Sequence, residues 1–220
     1  MSHPANTPSV AQRTVTLVDL QIQNILSVTH ALTLVGAKVV VARDAAAIAD
    51  ADLLVLPGVG SFSEASRRLF QSGLAGAIQR HALERQRPVV GFCLGMQLLA
   101  DRGLEHGEHP GLGLIPGQVV KLQERPPEHR VPNVGWRTVR LKGHATMALP
   151  FEMDDADFYH VHSYHFEVKT PSHCMGTTSF AGTDIASIVA QGRVLGTQFH
   201  PEKSQEPGLN LLHALVRHFR

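Results

Sequence analysis

The chemistry in this chain of 220 residues gathers around one cysteine. Gly91-Phe92-Cys93-Leu94-Gly95 has the G-x-nucleophile-x-G form, with sulfur where a serine oxygen would stand. The motif works when a strand turns sharply into a helix. The central residue takes strained dihedrals, the flanking glycines let the backbones approach, and the helix dipole favours the thiolate. A thiol nucleophile needs a base and a group that orients the base. His200-Pro201-Glu202 supplies both residue types. In an extended tripeptide, His200 and Glu202 project to one side, and Pro201 limits the backbone between them. The carboxylate can then fix the imidazole tautomer and stabilise the imidazolium. Acyl transfer also needs donors for an oxyanion. Pro57-Gly58-Val59-Gly60 offers backbone N–H groups unobstructed by side chains. Each piece alone has a plain structural reading: a small buried hydrophobe, the end of a strand, an ordinary turn. The case rests on their conjunction.

The surrounding elements must bring these residues together. Thr14–Val18, Lys38–Ala42, Leu53–Leu56 and Pro88–Phe92 read as strands. Between them, Ile25, Val28, Leu32 and Val35 mark a helix over Asn24–Val35, stopped by Gly36. Ser61 and Glu64 form a capping-box pattern opening a helix to about Gln71, and Leu74–Gln86 and Leu94–Ala100 read as further helices. This alternation predicts an α/β fold with a mainly parallel central sheet and flanking helices. It puts Gly58–Gly60 and Cys93 at one carboxyl edge, where open α/β sheets bind ligands. The second half reads as β-rich, with strands at Gln118–Leu122, Val134–Leu141, Asp157–His162, Ile185–Ala190 and Val194–Phe199. Segments 103–117 and 123–132 read as loops, and Pro207–Phe219 as a last helix. Residues 1–13 read as a flexible tail and 14–220 as one domain.

Composition narrows the classes. With 43% apolar and 18% charged residues the chain is neither disordered nor fibrous. A net charge of +1 gives no electrostatic case for nucleic acid or an anionic membrane. No apolar run approaches the roughly 20 residues that span a bilayer, and the N-terminus lacks a signal-peptide core, so the cytoplasm is expected. Two cysteines make no disulfide framework, which fits a reducing compartment. Cys174 sits in a loop-like run and reads as structural. His160, His162 and His165 lack a matching ligand cluster and read as surface and packing residues, so no metal is expected. Gly111-x-Gly113-x-x-x-Gly117 precedes a strand and is not a dinucleotide fingerprint. Asp154, Asp155 and Asp157 read as solvated charge in a loop.

Three motifs together resemble the class I, triad-type glutamine amidotransferases. They are Gly91-Phe-Cys93-Leu-Gly-Met-Gln97, Pro57-Gly-Val-Gly60-Ser-Phe and Gln198-Phe-His200-Pro-Glu202-Lys-Ser-Gln205. Val131-Pro-Asn-Val-Gly-Trp136, Val161-His-Ser-Tyr164 and Gly111-Leu-Gly-Leu-Ile-Pro-Gly117 extend the likeness from about Thr14 onward, toward the branch serving histidine biosynthesis. The resemblance implies that Cys93 attacks the side-chain amide of L-glutamine, His200 transfers protons and Glu202 orients it. It implies an oxyanion hole from Gly58, Val59, Gly60 and Leu94. Gln97, Ser163 and Tyr164 would hold the substrate, with His162 of the same motif beside the pocket, and Lys203 and Asn24 would flank the ammonia passage. The implied partner is a (β/α)8-barrel cyclase in a heterodimer, with no cofactor. The family usually reads Asp-Tyr-Gly-x-Gly-Asn after its first strand, where this chain has Asp19-Leu-Gln-Ile-Gln-Asn24. Asn133 and Arg137 stand where the family more often has His and Asn. A glutaminase feeding a different synthase, such as one amidinating a sugar, and a catalytically silent assembly subunit are the alternatives.

Overall fold

The computed structural model describes residues 12–22, 25–127, 129–143, 145, 149 and 153–219. Most of the expected tail, residues 1–11, and Asn24 lie outside the described residues. Arg13 is anchored rather than loose. Its guanidinium donates to the Val216 and Phe219 carbonyls at 2.9 and 2.7 Å, meeting acceptors that a helix C-terminus leaves open.

Four short parallel strands, β1 (Thr14–Val18), β2 (Lys38–Ala42), β3 (Leu54–Leu56) and β4 (Val89–Phe92), alternate with helices. The helices are α1 (Leu26–Leu34), α2 (Ala45–Ala49), α3 (Phe62–Gln71) and α4 (Leu74–Gln79). Ser61 caps α3 as expected, its Oγ accepting from the Glu64 N–H at 3.4 Å. The single helix expected over Leu74–Gln86 divides into α4 and a π-turn at Arg80–Glu84. The sequence reading missed α2, although Asp44 caps it by accepting from the Ala47 N–H.

After α5 (Leu94–Gln97) come β5 (Arg102–Gly103), β6 (His109–Pro110), β7 (Gly117–Lys121), β8 (Asn133–Leu141) and β9 (Ala156–His162). The chain continues through β10 (Tyr164–Val168), β11 (Cys174–Phe180), β12 (Thr183–Gln191), β13 (Val194–Thr197) and α6 (Gln205–His218). The large sheet has the order β2-β1-β3-β4-β13-β12-β11-β8-β9. Its first five strands run parallel, as expected; the remaining pairings are antiparallel. A second sheet has the order β10-β7-β5-β6. Both β10 and β11 went unpredicted, and Cys174 therefore opens a strand rather than lying in a loop. Two of its short strands, β5 and β6, fall within or beside the expected 103–117 loop.

The strands β3 and β4 are buried on both faces, so their side chains feed two cores. Leu54, Leu56 and Val89 pack with Phe62, Ile78 and Leu98 on one side. Val55, Val90 and Phe92 pack with Leu195, Phe199 and Leu212 on the other. This double cover holds the carboxyl ends of β3, β4 and β13 rigidly beside one another.

Candidate active site

Cys93 stands where β4 ends and α5 begins, with φ 50° and ψ −110°. A side-chain-bearing residue rarely adopts such a backbone and keeps it only when neighbours enforce it. The enforcement is visible. A Cβ on Gly91 would collide with the Gly95 carbonyl, and one on Gly95 would collide with the Leu56 carbonyl of β3. The Cys93 N–H is bound by the Thr197 carbonyl of β13 at 2.7 Å. A Cβ on Gly58 would meet the Gly95 nitrogen, so the Pro57–Gly60 turn lies against the elbow. Gly60 has φ +109°, a conformation that favours glycine. Leu94 opens α5, and an N–H in a first turn has no carbonyl one turn earlier to meet. The structure thus brings Gly58, Val59, Gly60, Leu94 and Cys93 to one place.

His200 arrives from the neighbouring strand, three residues beyond β13. Its Nδ1 lies 2.8 Å from Glu202 Oε1, with both side chains almost fully buried. The expected extended tripeptide is not what makes this contact. Pro201–Lys203 form a 3-10 turn, closed by the Lys203 N–H donating to the His200 carbonyl at 3.1 Å. Ser204 Oγ donates to the same carbonyl at 2.6 Å and accepts from the Tyr159 N–H at 3.0 Å. With Nδ1–H given to Glu202, the ring is left with a buried Nε2, and Cys93 is the other side chain that bears on it. Burial disfavours the charged ring, but the Cys93 sulfur and then the Glu202 carboxylate outweigh it. Together they raise the His200 pKa to about 9. The centre is thus built to hold an imidazolium opposite sulfur.

The Gln97 amide is buried and donates to the Tyr164 carbonyl at 2.9 Å and to Gln198 Oε1 at 3.1 Å. Ser163 links β9 to β10, its carbonyl accepting from the Leu122 N–H. The Tyr164 phenol is held above its ordinary pKa by burial and by the Glu105 charge. Lys203 follows Glu202 on the turn and is exposed.

Sequence reasoning missed several polar residues. Gln198 is fully buried, and its amide donates to Cys93 Sγ at 3.7 Å. It lay inside the quoted His200 motif, two residues before the histidine. Glu105, in an expected loop, accepts from the Phe62 N–H and bears on Tyr164. His160 and His162 are buried, which fits the packing part of their expected role and not the surface part, and His162 bonds the Tyr164 carbonyl. Burial lowers their pKa values to about 4 and about 3, so both stay neutral at pH 7. Asp155 and Asp157 are not merely solvated, accepting from the Leu141 N–H and the Thr138 hydroxyl. Among the described residues, no group of His, Cys, Asp or Glu is placed to hold a metal ion. No helix among them is long and apolar enough to cross a membrane.

Known proteins resemble this chain in sequence and fold. The family described as "Glutamine amidotransferase class-I" matches residues 16–217. The chain is 42% identical over 202 residues to the imidazole glycerol phosphate synthase subunit HisH of Symbiobacterium thermophilum, covering 90% of this chain and 91% of that one. It is 39% identical over 184 residues to the HisH subunit of Rhodospirillum rubrum, covering 83% and 86%. Among solved structures, one titled "Crystal structure of glutamine amidotransferase" superposes with a TM-score of 0.70 at 19% identity. That superposition covers 92% of this chain and 97% of the other, a likeness of fold.

Proposed function

Because the chain belongs to the class-I glutamine amidotransferases, we propose that it is the glutaminase subunit of an imidazole glycerol phosphate synthase. The observation that carries the chemistry is the buried His200–Glu202 pair beside a strained Cys93. Cys93 thiolate attacks the side-chain carbonyl carbon of L-glutamine, and the oxygen takes up the negative charge. The N–H groups of Leu94 and the Gly58–Val59–Gly60 turn stabilise that charge. His200, protonated at Nε2, gives its proton to the leaving nitrogen, so ammonia departs and a glutamyl thioester remains. The neutral ring then takes a proton from water, whose oxygen attacks the thioester, releasing glutamate and regenerating the thiolate.

Gln97, Ser163 and Tyr164 line the substrate's place, and the Glu105 carboxylate is the acid suited to its α-ammonium group. Ammonia released into bulk water would become ammonium and lose its nucleophilicity. It therefore passes to a docked (β/α)8-barrel cyclase, which uses it to form imidazole glycerol phosphate and an aminoimidazole carboxamide ribotide in the cytoplasm. Lys203 and Asn24 flank that passage. Assay of glutamate from glutamine, with and without the cyclase and its ribotide substrate, tests this reading. Stimulated glutamate formation supports it; none under any condition contradicts it.

One observation favours a second acceptor. Gln21 stands at a position where the family usually has glycine, and it carries φ +59°. The loop after β1 thus keeps a glycine-type backbone but carries side chains where the usual one has none, which fits a glutaminase serving another synthase. Rescue of a histidine auxotroph lacking its own glutaminase subunit decides between the two acceptors.

A further inference from the structure

Two branches of hydrogen bonds meet at the Tyr164 carbonyl, one reaching Arg137 and the other the sulfur of Cys93, and their directions follow from two groups whose roles cannot change. The Tyr164 carbonyl can only accept, and the Arg137 guanidinium can only donate. His162 Nδ1 lies 2.9 Å from the Tyr164 carbonyl, so Nδ1 carries the hydrogen and Nε2 accepts. Asn133 lies 3.0 Å from that Nε2 and must present its NH2 group. Its oxygen therefore faces Arg137 Nε, which donates to it at 3.0 Å. On the other side of the same carbonyl, the Gln97 atom at 2.9 Å must be nitrogen. That nitrogen also lies 3.1 Å from a Gln198 side-chain atom, which must then be oxygen. The Gln198 nitrogen is left facing Cys93 Sγ at 3.7 Å. The two branches meet at the Tyr164 carbonyl, which accepts from both, so within each branch no amide can flip alone without placing two donors or two acceptors together.

We propose that Gln198 is a further catalytic residue, whose amide donates to the Cys93 sulfur and is held in that orientation by Gln97, itself oriented by the Tyr164 carbonyl, as a positioning residue. The inference rests on Cys93 being the nucleophile. A donor on the sulfur stabilises the thiolate before attack and again when it leaves the thioester. It lies opposite the His200 imidazolium in role, supplying no proton and needing none returned. The arrangement also explains the joint presence of Asn133 and Arg137, since the asparagine oxygen, once its nitrogen is committed to His162, requires a donor. The other titratable groups around the sulfur are His200 and Glu202 on the 3-10 turn and His160 and His162 on β9; all remain in the variants below except for the single change named.

The test is the rate of Cys93 alkylation by iodoacetamide as a function of pH, in the full chain, with Cys174→Ala as background. It requires neither glutamine nor a partner, so it can fail while glutaminase activity stands. Gln198→Glu keeps an acceptor for Gln97 but removes the donor from sulfur and adds a charge. Gln198→Met keeps the length and removes both. The alkylation midpoint is expected to move up by about one pH unit in Gln198→Met and by more in Gln198→Glu. A packing role predicts the reverse order, because Glu is the closer isostere. Gln97→Leu, which removes the donor that orients Gln198, moves the midpoint in the same direction by less. Thermal unfolding of each variant separates misfolding from loss of the donor. Folded Gln198 variants with wild-type profiles overturn the catalytic role, and a wild-type profile in folded Gln97→Leu overturns the positioning role.

Discussion

Cys93 and Cys174 are both free and both buried, yet their surroundings differ in kind. Cys93 follows a parallel strand with a positive φ, and its sulfur, 3.8 Å from the Val161 carbonyl, also faces the Gln198 amide and bears on a histidine held by Glu202. Cys174 begins an antiparallel strand with an ordinary extended backbone, φ −88° and ψ 105°, and donates its S–H to the Gly176 carbonyl of its own strand. Burial pushes the Cys174 thiol up, toward its unreactive form. Enclosure by itself therefore silences a thiol. Reactivity comes from groups that favour the thiolate and from a backbone that aims it.

The strongest way to break this contrast is to remove each sulfur in turn. Cys93→Ala is expected to lower glutamate formation by roughly 10⁵-fold, whereas Cys174→Ala stays within about twofold, both measured in the partnered complex. Next comes the elbow itself. Gly95→Ala puts a methyl group on the Leu56 carbonyl and is expected to cost about 3 kcal/mol of stability, read from urea denaturation. An equally stable variant would show that the close approach is dispensable. Smaller still is Glu202→Gln, which keeps the shape of the pair and removes its charge. A drop of about ten- to a hundredfold in kcat is expected, with little change in KM.

The smallest effect is on stability against pH. His200, raised to about 9 from 6.5, stabilises the fold fully below about pH 6.5 and loses this contribution as pH rises through about 9. His160 and His162 act in the opposite sense. They stay neutral down to about 4 and about 3 while the unfolded chain takes up protons from 6.5 downward, so stability falls as the solution is acidified. Denaturation midpoints across this range should fall on both sides. Cys93→Ala should flatten the alkaline side alone, and Cys174→Ala should leave both unchanged.

What the sequence made legible follows the same division. The elbow, the Pro57–Gly60 turn and the parallel strands are local constructions, written in glycines and strand-then-helix patterns a few residues long. The His200–Glu202 pair was legible as residue types, but its 3-10 turn was not, because Ser204 and Tyr159 hold that turn from a distance. The polar chain behind the nucleophile was invisible. Its members come from β8, β9, β10, α5 and the segment after β13, and sequence spacing carries no trace of contacts such as Gln97 with Gln198. His162 showed the same limit: its alternation in a strand was plain, but which face was buried depended on strands elsewhere. The missed strands β10 and β11 have a related cause. Buried residues on both faces of β11 erase the alternation that marks a half-exposed strand.

The most direct test of the central claim, that Cys93 alone is built as the nucleophile, is covalent labelling with a chloroketone analogue of glutamine, followed by peptide mass mapping. The account predicts a stable thioether on Cys93, suppressed by excess glutamine, and an unlabelled Cys174. Labelling of Cys174 instead, or labelling of Cys93 that glutamine does not suppress, would contradict it.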